Sequence, residues 1–237
     1  TLAANVTVQT QGTGGGNDGA ISFTGAVDAT AAETLTLTAD TGTVSVAAIG
    51  QTKALGGFTV IDSSTGTAAT TNLDGSISVD GAGANIDIDR DGIVLHRAVT
   101  LDSDDGNVSI NDLAGNGNSL TITADIDADV EAISSVADLR VEAGEAVASS
   151  TADISGSGNV LLRSDADDNG GGDLTVGGDI SGSTVTLSAG TQAGANVAIN
   201  GDIDNTAGSL SIVAEDVADS VDLDADISSL GNLDITG

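Results

Sequence analysis

Three phrases of the same grammar close the chain, and they restrict its fold more than any other feature. Leu174-Thr175-Val176, Ile180 and Val185-Thr186-Leu187 make the first. Val197-Ala198-Ile199, Ile203 and Leu210-Ser211-Ile212 make the second, and Val221-Asp222-Leu223, Ile227 and Leu233-Asp234-Ile235 the third. Each sets a lone aliphatic between two apolar–x–apolar triplets, and the phrases start at 174, 197 and 221. Alternation within a triplet is the period-2 mark of a strand, apolar side in and polar side out. A fixed period of 20–50 residues built from short strands specifies a solenoid, whose coils bury their apolar edges only against one another.

Read backwards with the first triplet of a coil called A and the second B, the pattern reaches the N-terminus. A positions fall at 21, 44, 68, 86, 108, 130, 147, 174, 197 and 221. About ten coils of 17–27 residues therefore cover 1–237 as one continuous parallel β-solenoid, with no linker and no second domain. In this frame Val6-Thr7-Val8 is an isolated B. Leu35-Thr36-Leu37 and Phe58-Thr59-Val60 are the B triplets of the coils that open at Ile21 and Val44, and Ala68 opens a degenerate coil. Parallel order follows from every coil running in the same sense, and ten strands at about 4.8 Å give a rod roughly 45–50 Å long. One segment is set apart: over Asp129–Asp138 a helical turn is the alternative to a short strand.

Composition agrees. The apolar 39% is almost all Ala, Val, Ile and Leu; Phe23 and Phe58 are the only aromatics, and Pro, Cys, Met, Trp and Tyr are absent. A narrow core between closely stacked strands needs only small and β-branched side chains, and the lack of Pro leaves every backbone N–H for the ladder. Without Cys there are no disulfides, no thiolate chemistry and no Cys-based metal sites. No apolar run approaches the ~18 residues that span a membrane. A chain without an initiator Met is expected to be a processed product or part of a longer one.

Formal charge is −31, with 36 acidic residues against Lys53, Arg90, Arg97, Arg140 and Arg163. Such a surface repels nucleic acid and anionic membranes, so neither is expected as a partner. Asp predominates over Glu, as turn chemistry requires, and self-repulsion at this charge suits a saline or calcium-containing medium.

Asp18-Gly19-Ala20-Ile21-Ser22-Phe23-Thr24-Gly25-Ala26-Val27, then Leu35-Thr36-Leu37-Thr38-Ala39 and Thr41-Gly42-Thr43-Val44, resemble the repeat regions of very large secreted bacterial exoproteins: the filamentous-haemagglutinin-like adhesins and related autotransporter passengers. The resemblance covers essentially the whole chain and rests on repeat style. It implies a right-handed parallel β-helix, export to the bacterial cell surface, and a role as stalk, fibre or adhesin.

Candidate chemistry is confined to carboxylates. Asp87, Asp89 and Asp91 match the first half of an oxygen-ligand calcium loop, D-x-D-x-D-G, and Asp165, Asp167 and Asn169 match D-x-D-x-N-G. Alternate side chains of such a run converge on one ion while Gly makes the turn. The bidentate Glu expected at the twelfth position is Ala98 in one and Val176 in the other. Each run also reads as an acidic strand edge entering a turn. The Gly14–Ile21 stretch is a single copy of a motif that binds calcium only in tandem. Any calcium is structural, and no cofactor is required. His96, the sole histidine, is expected on the outer surface beside a carboxylate. Asp104-Asp105 and Asp167-Asp168 are the pairs that a glycosidase reading would use; the near-absence of aromatic and basic residues argues against an enzyme.

The expectation is a structural module of an extracellular fibre, joined to copies of itself head to tail or to flanking repeats of a longer chain. A ligand-binding adhesin, meeting a host or neighbouring-cell surface through the irregular coils at 61–76 and 129–172, is the alternative; a polysaccharide lyase or hydrolase is a remote one. The calcium reading predicts heat and a raised Tm on titration with Ca2+; a titration with neither removes it.

Overall fold

The computed structural model describes residues 1–10, 19–39, 41–61, 70–90, 92–149, 152–167, 171–190, 195–205, 208–214, 220–224, 226–228 and 231–236. Within them the chain is all strand and turn. The strands form three parallel sheets. The first sheet runs through ten strands from Val6–Gln9 to Val221–Leu223, and the second through ten from Ile21–Phe23 to Ile227–Ser228. The third has eight, from Ile77–Asp80 to Asn232–Thr236. The chain visits the sheets in that order, so ten coils can be counted, eight of them with a strand on all three sides. Coil 4 shows the plan: Ile86–Asp89, Ile93–Leu95, Val99–Asp104.

Register explains why the phrases repeat. Leu174 stacks on Val197 and Val197 on Val221 in the first sheet; Ile180, Ile203 and Ile227 stack in the second; Val185, Leu210 and Leu233 stack in the third. The lone aliphatic of each phrase is thus the inward residue of a strand of its own. Every inward aliphatic of the interior coils lies within 0–8% of full burial, and each buried one contributes about 1.5–3 kcal/mol.

The coil frame assigned from the sequence is displaced by one sheet in the N-terminal third. Val6, Leu35 and Phe58 pair in series with Ile86, so the triplets taken as B belong to the A column. Ile21 and Val44, taken as A, stack with Thr71 and Ile93 in the second sheet. Counted along the first sheet, coils are 19 residues (Ala128 to Val147) to 29 residues (Val6 to Leu35) long, which corrects the 17–27 range. The displacement arose because insertions lengthen coils 1 and 3, and a short A triplet cannot be told from a short B triplet by alternation. Ala68 lies outside the described residues. The helical alternative at 129–138 is also corrected: Ala128–Val130 and Ile133–Val136 are strands of the first and second sheets.

In coils 1 and 2 single bridges continue the third side. Val27 stacks on Ile49 and Ile49 on Ile77, while Leu2 lies over Ala29 and Leu55 over Val79. Ile49 and Leu55 hold the places of Ile77 and Val79, so residues 50–54 bulge outward. Gly50 opens this bulge at φ +69, where a side chain would also run into the Ser78 carbonyl. Asp28 closes it, its Oδ1 accepting the Thr52 N–H at 2.9 Å and the Lys53 N–H at 3.3 Å.

Aspartate and asparagine hold the coils together at their corners. The residue before a first-sheet strand accepts, through its side-chain oxygen, the backbone N–H of its equivalent one coil on. Asn85 takes Asn107 N–H (2.9 Å), Asn107 takes Asp127 N–H (3.1 Å), and Asp127 takes Ala146 N–H (3.0 Å). Asp173 and Asn196 continue the row with Asn196 N–H (3.0 Å) and Ser220 N–H (3.1 Å). A second row precedes the second-sheet strands: Asp153 to Asp179 (3.1 Å), Asp179 to Asp202 (2.8 Å), Asp202 to Asp226 (3.0 Å). Only a side chain as short as Asp or Asn reaches one strand spacing without bending back, which accounts for the scarcity of Glu.

Among the described residues the largest fully buried side chain is Arg90. It leaves the strand Ile86–Asp89 inward, donating from Nη1 to Ala39 O (2.6 Å) and from Nη2 to Gly42 O (2.9 Å). Those carbonyls belong to coil 2, two levels away. Coil 4 turns this corner in residues 90–92 and coil 2 in 39–43, whereas coil 3 uses 62–70. The guanidinium thus reaches past coil 3 to the backbone of coil 2. Arg90→Ala strands two carbonyls and leaves a cavity where a fully buried side chain stood, and is expected to cost about 2–4 kcal/mol. Thermal unfolding should show Tm lower by roughly 5–10 °C; an unchanged Tm would show that the side chain is dispensable.

Candidate functional site

Of the positions singled out as calcium ligands, Asp87, Asp89, Asp165 and Asp167 lie within the described residues. Asp87 and Asp89 stand on the outward side of a strand that is extended and paired through Asp89. Asp89 Oδ1 accepts from Asn111 Nδ2 at 3.1 Å, and between the two aspartates and Asp91 the chain turns Arg90 inward. Asp165 is buried in a left-handed conformation (φ 48) and Asp167 is exposed. Asp91 and Asn169 lie outside the described residues, as does most of the Gly14–Ile21 stretch. Among the described residues no three His, Cys, Asp or Glu side chains are grouped so as to hold a metal ion.

His96 sits where the sequence put it. Its Nδ1 lies 2.8 Å from Asp74 Oδ1, and both side chains are well exposed. Of the adjacent Asp pairs, only Asp104-Asp105 lies wholly within the described residues. Asp104 ends a strand while Asp105 turns at φ 69; Asp168 is outside the described residues. Asp104 and Asp167, one from each pair, instead share a groove of about 250 Å3 with Asp102, Asp125 and Glu142. Burial, and then the neighbouring charge of Asp104, raises the Asp102 carboxyl above the usual carboxylate range. Asp87 is raised in the same way, by burial and then by Asp89. In contrast, Asp28 is held low by the Thr52 N–H, and Glu33 by the Ala31 N–H and the Thr30 hydroxyl.

A longer groove of about 660 Å3 follows the second sheet over its last coils, and sequence reasoning missed it. Asp153, Asp179 and Asp202 line one side, with Asp204, Ser155 and Ser181 facing them. Oδ1 of each aspartate in the row is taken by the next coil's N–H, leaving Oδ2 for the groove. Like charges at the strand spacing of about 4.8 Å repel by ~1 kcal/mol in water, less than the about 1.5–3 kcal/mol of a charge-assisted hydrogen bond. The row therefore holds. Its signal was an Asp immediately before each lone Ile (Asp153-Ile154, Asp179-Ile180, Asp202-Ile203, Asp226-Ile227). The opposite character appears on the third sheet, where Arg140, Arg163, Leu161 and Val213 line a depression of about 450 Å3. Arg140 and Glu142 are paired there, Nη2 to Oε2 at 2.6 Å.

The chain matches no protein-family model, no curated protein and no solved structure. Chemistry therefore rests on the geometry alone: among the described residues, acidic rows and a basic patch.

For Asp87 and Asp102 the folded carboxyl has the higher pKa. Their contribution to stability is complete below the unfolded value and is lost as pH rises through the folded one. Asp28 and Glu33 act with the opposite sign, losing their contribution as pH falls. Asp102→Asn is expected to raise Tm at pH 7 by about 1–2 °C, with the gain shrinking toward pH 3.5. A variant equal to the parent at pH 7, or a gain independent of pH, would contradict this.

Proposed function

We propose that the chain is a rigid structural module of an extracellular fibre at the bacterial surface, lengthened by stacking coil on coil. The carrying observation is where burial fails. Interior coils bury their aliphatics almost completely, but among the described residues the partly buried apolar ones that pack against the core are Leu2, Val6, Val8 and Phe23 in the opening turns and Val221, Leu223 and Ile227 in the last coil. Leu233 and Ile235, in register with Leu210 and Ile212, are 46% and 45% exposed. A further coil, from more of the same polypeptide or from another copy, would cover them and extend all three ladders. Unpaired strand edges are templates for such addition, and a heterologous end-to-end contact that does not close produces a filament.

The repeat phrases that resemble filamentous-haemagglutinin-like exoproteins favour the same role, and so does the continuity of the first and second sheets from the first coil to the last. Rod stiffness comes from about ten stacked levels, roughly 45 Å of parallel ladder.

Light scattering and electron microscopy of the 237-residue chain in physiological salt should reveal rods in multiples of roughly 45 Å. Leu233→Lys with Ile235→Lys places two charges on the open edge and is expected to weaken that association at least ~10-fold, since each Lys forfeits aliphatic burial and adds desolvation. Association that the double variant leaves unchanged would refute stacking through this end.

A further inference from the structure

Each column of inward residues has a head and a foot. Val6 heads the first-sheet column that Val221 ends, Ile21 heads the second-sheet column that Ile227 ends, and Val27 heads the third-side column that Ile235 ends. The polar rows are open in the same sense. Asn5 Oδ1 accepts the Thr34 N–H at 3.0 Å and stands at the head of the first row. Asp226 gives its N–H to Asp202 and holds the last described carboxylate of the second. Charge is unequal along the axis: the first 36 residues carry three acidic residues and the last 36 carry nine, with no basic residue in either stretch. At the head, the outward Thr7, Gln9 and Ser22 are exposed and uncharged, whereas at the foot Asp222, Asp224, Asp226 and Asp234 are exposed.

We propose that the foot of one rod receives the head of a second copy in a single register, Val6 on Val221, Ile21 on Ile227 and Val27 on Ile235, with both axes pointing the same way. Foot against foot would bring two sets of four aspartates to about one strand spacing, where like charges repel even in water. A two-fold contact of like ends also reverses the strands and exchanges two of the three sheets, so that one ladder at most continues. Head on foot sets Asp222 against Thr7, Asp224 against Gln9 and Asp234 against Ala26, none of them charged. The same register hands Asp226 a donor. Ala20 precedes Ile21 as Asp226 precedes Ile227, so the Ala20 N–H of the second copy meets the Asp226 carboxylate as the Asp226 N–H meets that of Asp202.

Backbone bonds continue in step. Within the rod the Val197 N–H is taken by Ser220 O and the Ile203 N–H by Asp226 O, which assigns the Val221 N–H to Asn5 O and the Ile227 N–H to Ala20 O of the second copy. Leu2 bridges to Ala29 one level beyond coil 1. In the joint it reaches the level of Leu233 and Ile235, beyond the end of the strand Asn232–Thr236, so the two rods overlap by part of a coil. A fibre joined this way is polar, with an uncharged edge at one end and an acidic one at the other, and rods add in one orientation only. Orientation, register and the role of Asp226 go beyond end stacking but rest on it.

The chain has no cysteine, so single thiols report the joint. Ser22→Cys marks the head and Ser228→Cys the foot, both at exposed outward positions that this register makes neighbours. The two proteins are mixed with a short bismaleimide in physiological salt, and the products are sorted by mass spectrometry. Head–foot product is expected to exceed foot–foot and head–head products by at least ~10-fold. Asp226→Ala, with circular dichroism identical to the parent, should weaken association in light scattering by about 10-fold or more. Asp224→Ala, which removes the same charge from the same coil without touching the row, should not weaken it. Association in which like-end products predominate, or head–foot product is missing, overturns the joint and leaves stacking of copies standing. Association that Asp226→Ala leaves unchanged overturns the register. A chain that stays monomeric leaves the edge to further coils of the same polypeptide, and overturns stacking of copies and this joint together.

Discussion

The spacing between parallel strands governs everything else in this molecule. A residue sits one strand spacing from its equivalent in the coils before and after, so whatever is placed once is placed repeatedly. Aliphatics so placed make one continuous core that runs from coil to coil. Carboxamides and carboxylates so placed reach the next coil's backbone N–H. The charge of the chain is largely a consequence: Asp is the short acceptor that a corner requires, and an acceptor repeated at every level becomes a line of charge.

Fold class was legible because solenoid packing is local. Leu174 to Ile235 shows the whole rule in three phrases, and each inward position it names is inward in the structure. The frame was less legible near the N-terminus, since alternation marks Leu35-Thr36-Leu37 as a strand without saying which sheet receives it. Only pairing with Phe58 and Ile86 decides that. Surface features were harder still. Arg90 reads as the polar filler of an acidic run, and its inward course to carbonyls two coils away leaves no mark in the residues around it. The aspartate row was visible as Asp before Ile, but its meaning needed the coils to be stacked. Arg140 and Arg163 are more than twenty residues apart in sequence and diagonal neighbours on the sheet, a relation that the period sets and composition hides.

The two outer faces differ for a related reason. Inward positions are constrained by neighbours on both sides and vary little; outward positions answer only to solvent or a partner. Serine, threonine and alanine fill most of them, which gives the departures their weight. A paired Arg140, a second arginine one coil on and two outward aliphatics occupy places where small polar residues would satisfy the fold.

Arg90 has a bearing on how such a rod comes apart. Repeat proteins are described by intrinsic coil stabilities plus couplings between adjacent coils, a linear chain in which melting can begin at any weak unit and stop at the next strong one. Coils 1 and 2, lacking a third-sheet strand, are such weak units. The guanidinium of coil 4 bonded to carbonyls of coil 2 is a second-neighbour coupling that this linear description omits. It ties a weak coil to a strong one across the insertion between them, so coils 2 to 4 open and close as a single cooperative block. Fraying that starts at the N-terminal edge meets this block before it reaches the regular repeats.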